Sequence, residues 1–160
     1  MSVFQAFRSL PVAREIHRAD SLPERAQTYA RDTITLGWEE RLKARARRLS
    51  DGGSEFGAAL ARGTMLREGD CFVLDQLQIV VTVVERADPV FVIAPRSPEE
   101  WGRYAYQIGN NHLPLMIEDG LLVCPDVAGM EQVLALHGIE FSRASRPFTP
   151  FAGLPDHRHA

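Results

Sequence analysis

Apolar and basic residues alternate in the first half of the chain. Between positions 34 and 47, apolar side chains occupy mainly even positions, whereas the basic side chains from Arg41 to Arg47 occupy odd positions. A period of two is typical of a β-strand, because successive side chains of a strand point to opposite faces. The stretch is therefore predicted to be a strand with one buried face and one basic face.

A second strand signal lies at residues 71–74 and 78–85, which are rich in β-branched and apolar side chains. These two runs predict a hairpin that turns at Asp75 and Gln76. Because the preceding segments also consist of short strand and turn signals, the first domain, residues 1–86, is predicted to be small and all-β.

The pattern changes beyond a junction at residues 86–89. A predicted strand at residues 90–94 is followed by a strong signal for the start of a helix. Ser97 is the expected N-cap, Pro98 takes the first helical position and Glu100 completes a capping box. Apolar side chains then recur at helical spacing, which predicts an amphipathic helix.

The rest of this second domain is predicted to contain two strands at residues 114–118 and 121–124, a helix at residues 126–138 and a last strand at residues 139–144. Asp119 and Gly120 provide the turn between the two strands, and Asp126 is the expected N-cap of the second helix, which ends at Gly138. The order β-α-β-β-α-β is the ferredoxin-like arrangement. The sequence therefore predicts an α+β protein.

The predicted organisation has three parts: an N-terminal β-rich domain at residues 1–86, a ferredoxin-like domain at residues 87–146 and a flexible tail at residues 147–160. The tail is rich in proline and contains two histidines. Such a composition favours a flexible terminus.

Composition and charge exclude several classes of protein. A formal net charge of −3 over 160 residues does not favour a nucleic-acid partner. The two cysteines, Cys71 and Cys124, stand apart, so a zinc ribbon or a C-x-x-C redox motif is excluded. Apolar runs are too short to span a bilayer, and the N-terminus lacks the apolar block of a signal peptide. We therefore expect a cytoplasmic protein with reduced thiols and no membrane association.

The clearest chemical signal surrounds His112. Gly109 and Asn110 tolerate the left-handed conformation that closes a helix, and Pro114 cannot continue one, so His112 is expected on a defined corner. A lone histidine at such a corner is more often a surface residue than a metal ligand. One imidazole also holds a metal weakly, so further ligands would have to come from the tail or from a second copy of the chain across a two-fold axis.

The tail carries His157 and His159, an H-x-H pair. On a flexible segment such a pair can chelate nickel, copper or zinc. A solvated tail without any metal is an equally good interpretation of this spacing.

Two other features leave alternatives open. Cys124 could act as a nucleophile with His112 and Asp126, although a buried structural cysteine is much more common. The predicted basic face, from Arg41 to Arg48, is either a solvated strand face or a docking surface for an acidic partner. Interleaved aromatic side chains, which single-strand nucleic-acid binders use for stacking, are absent from it.

Four ordered motifs carry a resemblance to a known family. Residues 109–115, GNNHLPL, resemble the G-N-R-H-x-P-L signature of the urease accessory nickel metallochaperones. The other motifs that are similar to this family are RARRLSDG, LARGT and LREGD in the first domain, MEQVL followed by HG in the second helix, and PFTPFAG at the exit into the tail, at residues 45–52, 60–64, 66–70, 130–134, 137–138 and 147–153.

The resemblance implies a homodimer in which two ferredoxin-like domains pair and the two copies of His112 face each other. It implies Ni(II) bound there, with His157 and His159 as further ligands and with Cu(II) or Zn(II) as possible occupants of the same site. It also implies donation of nickel to the urease apoenzyme together with the other urease accessory proteins, including an accessory GTPase, and no catalytic activity. The runner-up function is a protein-interaction scaffold of the urease assembly complex with incidental metal binding.

The chain departs from the family pattern at three positions. Asn111 stands where the usual residue is arginine. Asp126 and Ala128 stand where some relatives carry a second pair of histidines. An auxiliary metal site at the start of the second helix is therefore expected to be absent or reduced to a carboxylate.

Overall fold

The chain forms two compact units, Met1–Glu85 and Arg86–Ala160. A computed structural model describes residues 9–151. Within this described part, no helix is both long enough and apolar enough to cross a membrane.

The described part of the first unit, residues 9–85, contains seven strands in two sheets. The strands are β1 Val12–Ala13, β2 His17–Arg18, β3 Ala30–Leu36, β4 Arg45–Leu49, β5 Glu55–Ala59, β6 Asp70–Leu74 and β7 Ile79–Glu85. One sheet has the order β1-β5-β4 and the other the order β2-β6-β7-β3. Strands β6 and β7 pair as an antiparallel hairpin, which confirms the prediction for residues 71–85, whereas β3 lies parallel to β7.

Apolar side chains from both sheets form the core of the first unit. Phe56 of β5 and Phe72 of β6 lie at its centre, with ring centroids 5.2 Å apart and both rings fully buried. Ile34 and Leu36 of β3 and Val81 of β7 pack in the same cluster. The alternating pattern of β3 thus buries one face at its end, as period two requires, whereas β7 is buried on both faces, with Val80 in a second cluster.

The segment from residue 34 to residue 47 is not the single strand that its alternation predicted. Strand β3 ends at Leu36, a helical turn follows at α1 Trp38–Arg41, and the chain returns to extended structure only in β4. The turn is stabilised at its start because the Glu40 carboxylate accepts a hydrogen bond from the Gly37 N–H at 3.0 Å. A one-turn helix is too short to produce a helical period in the sequence.

The predicted basic face is wrong at Arg41 and Arg48, whereas Lys43, Arg45 and Arg47 are exposed. The helical turn buries Arg41 completely, and its guanidinium donates to Glu85 Oε1 at 3.1 Å and to the Leu66 carbonyl at 3.3 Å. Arg48 is also buried and donates to the carbonyls of Glu40 and Lys43. Desolvation lowers the pKa of the Arg48 guanidinium.

The second unit has the predicted order β-α-β-β-α-β, formed by β8 Asp88–Ile93, α2 Pro98–Asn110, β9 Met116–Glu118, β10 Leu121–Pro125, α3 Met130–Leu136 and β11 Ser142–Arg146. The sheet order is β11-β8-β10-β9, and every neighbouring pair is antiparallel. This is the split βαβ topology of the ferredoxin-like fold. The predicted fold class, α+β with a β-rich first part and a ferredoxin-like second part, is confirmed.

The two helices pack on the sheet through apolar side chains. Phe91 and Leu122 of the sheet form one cluster with Ile108 of α2 and Met130 and Leu134 of α3, all fully buried. As predicted, Ser97 is the N-cap of α2 and accepts from the Glu100 N–H at 3.2 Å. The Glu100 carboxylate, however, accepts from the Arg96 N–H at 2.7 Å, one residue before the cap.

Helix α3 begins later than the sequence predicted. Gly129, with φ of 89°, is its N-cap, and Asp126 does not cap it. Arg143 instead donates to Asp126 at 2.8 Å and to Glu131 at 2.7 Å, so an ion pair takes the place of the expected cap. The helix ends as predicted, with Gly138 in the left-handed conformation at φ of 61°.

The predicted tail is packed at its beginning. Strand β11 extends to Arg146, beyond the predicted residues 139–144, and Phe148 is fully buried. A phenylalanine burial of this size anchors the segment to the second unit. Residues 152–160, which include His157 and His159, lie outside the described part of the chain.

The buried Arg41–Glu85 pair gives a first prediction. Arg41→Ala should lower the free energy of unfolding of the first unit by about 3 kcal/mol, because it leaves a largely buried carboxylate without its cation. Urea titration followed by the fluorescence of Trp38, in a Trp101→Phe background, measures this loss. The matched control is Arg45→Ala, an exposed position in the same segment, where about 0.5 kcal/mol or less is expected. Equal, small losses for both variants would contradict the buried pair.

Candidate functional site

His112 lies immediately beyond the end of α2, at a left-handed corner. Its φ is 56°, its N–H donates to the Gly109 carbonyl at 2.9 Å, and the N–H of Leu113 donates to the Ile108 carbonyl at 3.3 Å. This pair of bonds is the Schellman closure of a helix, in which glycine is the usual left-handed residue. Here a histidine takes that position.

The sequence predicted the left-handed conformation at Gly109 or Asn110, and this was wrong. Both residues are the last two of α2. Two constraints place the corner later. Pro114 disfavours a helical conformation at the residue before it, so Leu113 must be extended. Leu113 also packs against the core that contains Ile108, which is the apolar contact that commonly accompanies this closure.

The backbone of His112 is fixed while its side chain is free. Histidine is among the residues that enter the left-handed region more often than most, but the conformation still costs free energy relative to glycine. The side chain is exposed. Among residues 9–151, its imidazole takes part in none of the hydrogen bonds or ion pairs. The corner therefore presents an unengaged imidazole on a rigid support.

The start of the tail docks beside this corner. The Thr149 N–H donates to Met116 Sδ at 3.3 Å, and the Phe151 N–H donates to the Leu115 carbonyl. Leu115 follows His112 by three residues, so the Cα atoms of these two residues are at most about 11 Å apart. Of the three predicted metal ligands, the structure describes only His112. It also describes the start of the segment that leads to His157 and His159, which lie outside the described residues.

Several large apolar side chains remain exposed in the segments that flank His112. Tyr106 of α2 is 65% exposed, Ile117 of β9 is 51% exposed and Phe151 is 70% exposed. Scattered exposed apolar residues are normal in a globular protein. Three in the segments that adjoin one corner are consistent with a contact surface there.

One chain does not complete a metal site within its described part. Residues 9–151 contain no group of three or more His, Cys, Asp or Glu side chains that could hold a metal ion. A transition metal bound by His112 therefore needs ligands from beyond residue 151 or from another molecule.

The structure contradicts the thiol-enzyme interpretation of Cys124. This residue lies in β10, is fully buried in the core of the second unit, and burial raises the pKa of its thiol to about 12. The thiolate, which is the nucleophilic form, is therefore almost absent at neutral pH. Asp126, the proposed third member of the constellation, is engaged with Arg143 at 2.8 Å.

Sequence reasoning missed two interactions. Arg143 joins Asp126 to Glu131 and lies 4.8 Å above the Phe91 ring, and an isolated arginine in a strand gives no signal of such a role. Asn111 donates its side-chain amide to the Gln107 carbonyl at 2.8 Å. The signal for this bond was present, since asparagine next to a helix end is a common capping residue.

A comparison of two substitutions at His112 tests the left-handed corner. His112→Gly should leave the protein about 1 kcal/mol more stable than His112→Ala, because glycine adopts a positive φ without the steric cost that alanine has. Both variants lack the imidazole, so the difference reports the backbone alone. Thermal or urea unfolding of the second unit, followed by Trp101 fluorescence in a Trp38→Phe background, measures it. Equal stability of the two variants would be inconsistent with the closure described above.

The burial of Cys124 gives a prediction for alkaline pH. Its folded pKa of about 12 lies above the ordinary value of 9.0, so the unfolded chain loses the thiol proton first. The contribution of the Cys124 thiol to the free energy of unfolding is constant below pH 9 and falls above that pH by about 1.4 kcal/mol per pH unit. Cys124→Ala should remove this part of the slope in urea titrations at pH 8 to 10.5. Peptide mapping after iodoacetamide treatment of the native protein should find Cys124 unmodified. Rapid alkylation would contradict its burial.

Comparison with known proteins agrees with this architecture. The model of the UreE urease accessory protein N-terminal domain matches residues 12–85, and the model of the C-terminal domain of the same family matches residues 88–160. The urease accessory protein UreE of Burkholderia vietnamiensis (strain G4 / LMG 22486) is 32% identical over 150 residues, which cover 92% of this chain and 72% of the relative. The protein of the same name from Burkholderia ambifaria is also 32% identical, and the match covers 92% of this chain and 71% of that relative. The protein of the same name from Pseudomonas putida (strain ATCC 700007 / DSM 6899 / JCM 31910 / BCRC 17059 / LMG 24140 / F1) is 33% identical over 121 residues, which cover 76% of this chain and 72% of that relative. The chain therefore belongs to the UreE family of urease accessory proteins.

Proposed function

We propose that the chain is a metallochaperone that binds Ni(II) at His112 and donates it during assembly of the urease metallocentre. The observation that carries the proposal is the exposed imidazole of His112, held on a Schellman corner beside the docked start of the tail. Membership of the urease accessory protein family makes urease the expected recipient. Nickel is the cargo of such a protein and not a resident cofactor.

Chain length allows the tail histidines to reach the corner. His157 and His159 follow Phe151 by six and eight residues, which span at most about 20 and 28 Å when extended. The Phe151 N–H donates a hydrogen bond to the carbonyl of Leu115, three residues after His112. The anchor therefore keeps both histidines within reach and raises their effective concentration at the metal.

A second copy of the chain supplies the remaining ligand in the proposed site. A two-fold axis near His112 duplicates this imidazole automatically. The exposed side chains of Tyr106, Ile117 and Phe151 provide apolar surface that such a homodimer would bury. Two imidazoles from the corners and further imidazoles from the tails form a nitrogen-rich set, which suits Ni(II) and also admits Cu(II) or Zn(II).

The proposed site is suited to release as well as to binding. The ligands come from separate chains and from a terminal segment, so they can separate without unfolding either unit. The ion pair between Asp126 and Arg143 occupies the position where a second set of ligands could have been, which leaves one principal site per dimer. Donation to apo-urease would proceed with the other accessory proteins, including the accessory GTPase.

Calorimetry with nickel tests the assignment of ligands. His112→Ala should weaken binding at the tight site by at least about tenfold, or 1.4 kcal/mol, because both symmetric ligands are lost together. The double variant His157→Ala, His159→Ala should weaken it less, because the corner ligands remain. His137→Ala is the matched control, a histidine at the end of α3, and should bind as the unsubstituted protein does. A tight site that survives His112→Ala would falsify the proposal.

Urease activation separates nickel delivery from scaffolding. With the His112→Ala protein, activation of apo-urease should fail at limiting nickel and recover at high nickel, because only delivery is impaired. A scaffold would instead depend on surface contacts. Three side chains of the predicted basic face, Lys43, Arg45 and Arg47, are exposed. A variant in which these three residues are replaced by glutamate tests the scaffold function. Loss of activation in that variant, with His112→Ala fully active, would favour the scaffold.

A further inference from the structure

We propose that Asn111 is a positioning residue for the metal site, because its side chain holds the last turn of α2 closed and thereby fixes the direction of the His112 Cα–Cβ bond, from which the imidazole projects. The proposal rests on the proposed function, since it concerns the same site. It adds a residue that does not touch the metal but determines how the ligand is presented to it.

The geometry at the end of α2 assigns this role to Asn111. Its backbone, at φ of −89° and ψ of 11°, forms the C-cap, and its N–H lies 3.3 Å from the Gln107 carbonyl and 3.2 Å from that of Ile108. The side-chain amide donates to the same Gln107 carbonyl at 2.8 Å. Asn111 therefore bonds to the last turn from both its backbone and its side chain.

This bond matters because the corner it supports is costly. Helix ends fray, and the Asn111 side chain adds a second hydrogen bond to the Gln107 carbonyl, which already accepts from the Asn111 backbone N–H in the last turn. His112 stands in a left-handed conformation that favours glycine, so opening of the last turn would let it relax to a more favourable backbone region. Such a change would swing the imidazole away, since the side chain has no described contact of its own to hold it.

Leu113 holds the corner from the other side. Its packing against the core fixes the chain after His112, but not the turn before it. The Asn111 side chain is the complementary restraint on the helical side.

The test compares Asn111→Ala with Asn111→Ser in the full-length protein. Alanine removes the side-chain donor, whereas the serine hydroxyl can donate to the carbonyl four residues earlier and should restore part of the bond. Hydrogen exchange measures opening of the corner at the amides of His112 and Leu113, and calorimetry measures nickel affinity. One lost hydrogen bond corresponds to about a fivefold change in such an equilibrium.

We expect the rate of amide exchange at the corner and the affinity for nickel to change together. Asn111→Ala should speed exchange at these two amides about fivefold and weaken nickel binding by a similar factor, with core amides such as that of Leu122 unchanged. Asn111→Ser should recover both. Faster exchange without loss of affinity would show a merely structural cap and overturn the proposal, as would loss of affinity without faster exchange, or no change in either.

The His112→Ala protein distinguishes this failure from failure of the proposed function. If His112→Ala binds nickel normally, the site itself is wrong and the proposed function fails. If His112→Ala loses nickel but Asn111→Ala keeps both its affinity and its exchange rates, only the role of Asn111 is wrong. General destabilisation by Asn111→Ala would appear as faster exchange at core amides, and the serine variant would then decide between the outcomes.

Discussion

The closure of α2 is the constraint on which the candidate site depends. Leu113 precedes a proline and packs in the core of the second unit, so the chain must leave the helix at the residue before it. That residue is His112, and the Schellman bonds to Gly109 and Ile108 leave it no conformation but the left-handed one. The packing of the half-buried Leu113 thus helps to set the backbone conformation of His112.

The same short stretch also organises the rest of the site. Leu115 and Met116 follow the corner directly and receive the start of the tail through the N–H groups of Phe151 and Thr149. The candidate ligand His112 and the anchor of the segment that leads to the other candidate ligands are therefore close in sequence. The arrangement keeps local strain at the functional residue, where the surrounding core can hold it, as strained positions at functional sites commonly are.

Sequence patterns predicted the elements whose signals are repeated or strongly local. The β6–β7 hairpin, the Ser97 cap and the order β-α-β-β-α-β were all confirmed. The patterns failed where a short element or a distant contact decided the structure. The α1 turn is too short to produce a period, and Arg41 is buried because of Glu85, far along the chain. Asp126 had the right residue type for a cap, but Arg143 pairs with it from β11.

The geometry of the candidate site could not be predicted from the sequence. Sequence motifs singled out His112, yet the position of the left-handed residue followed from tertiary packing of Leu113 and not from the glycine nearby. This difference has a functional consequence under the proposed function. A left-handed Gly109 would have ended the helix three residues before His112 and left the histidine in the segment that follows. With histidine itself at the left-handed position, the closure of the helix fixes the direction of the His112 Cα–Cβ bond, and in the proposed dimer two such corners related by a two-fold axis would present two imidazoles to one ion. In the proposed site each chain would contribute only one ligand on a rigid support, so the affinity would depend on the dimer and on the tails, and separation of either would release the metal.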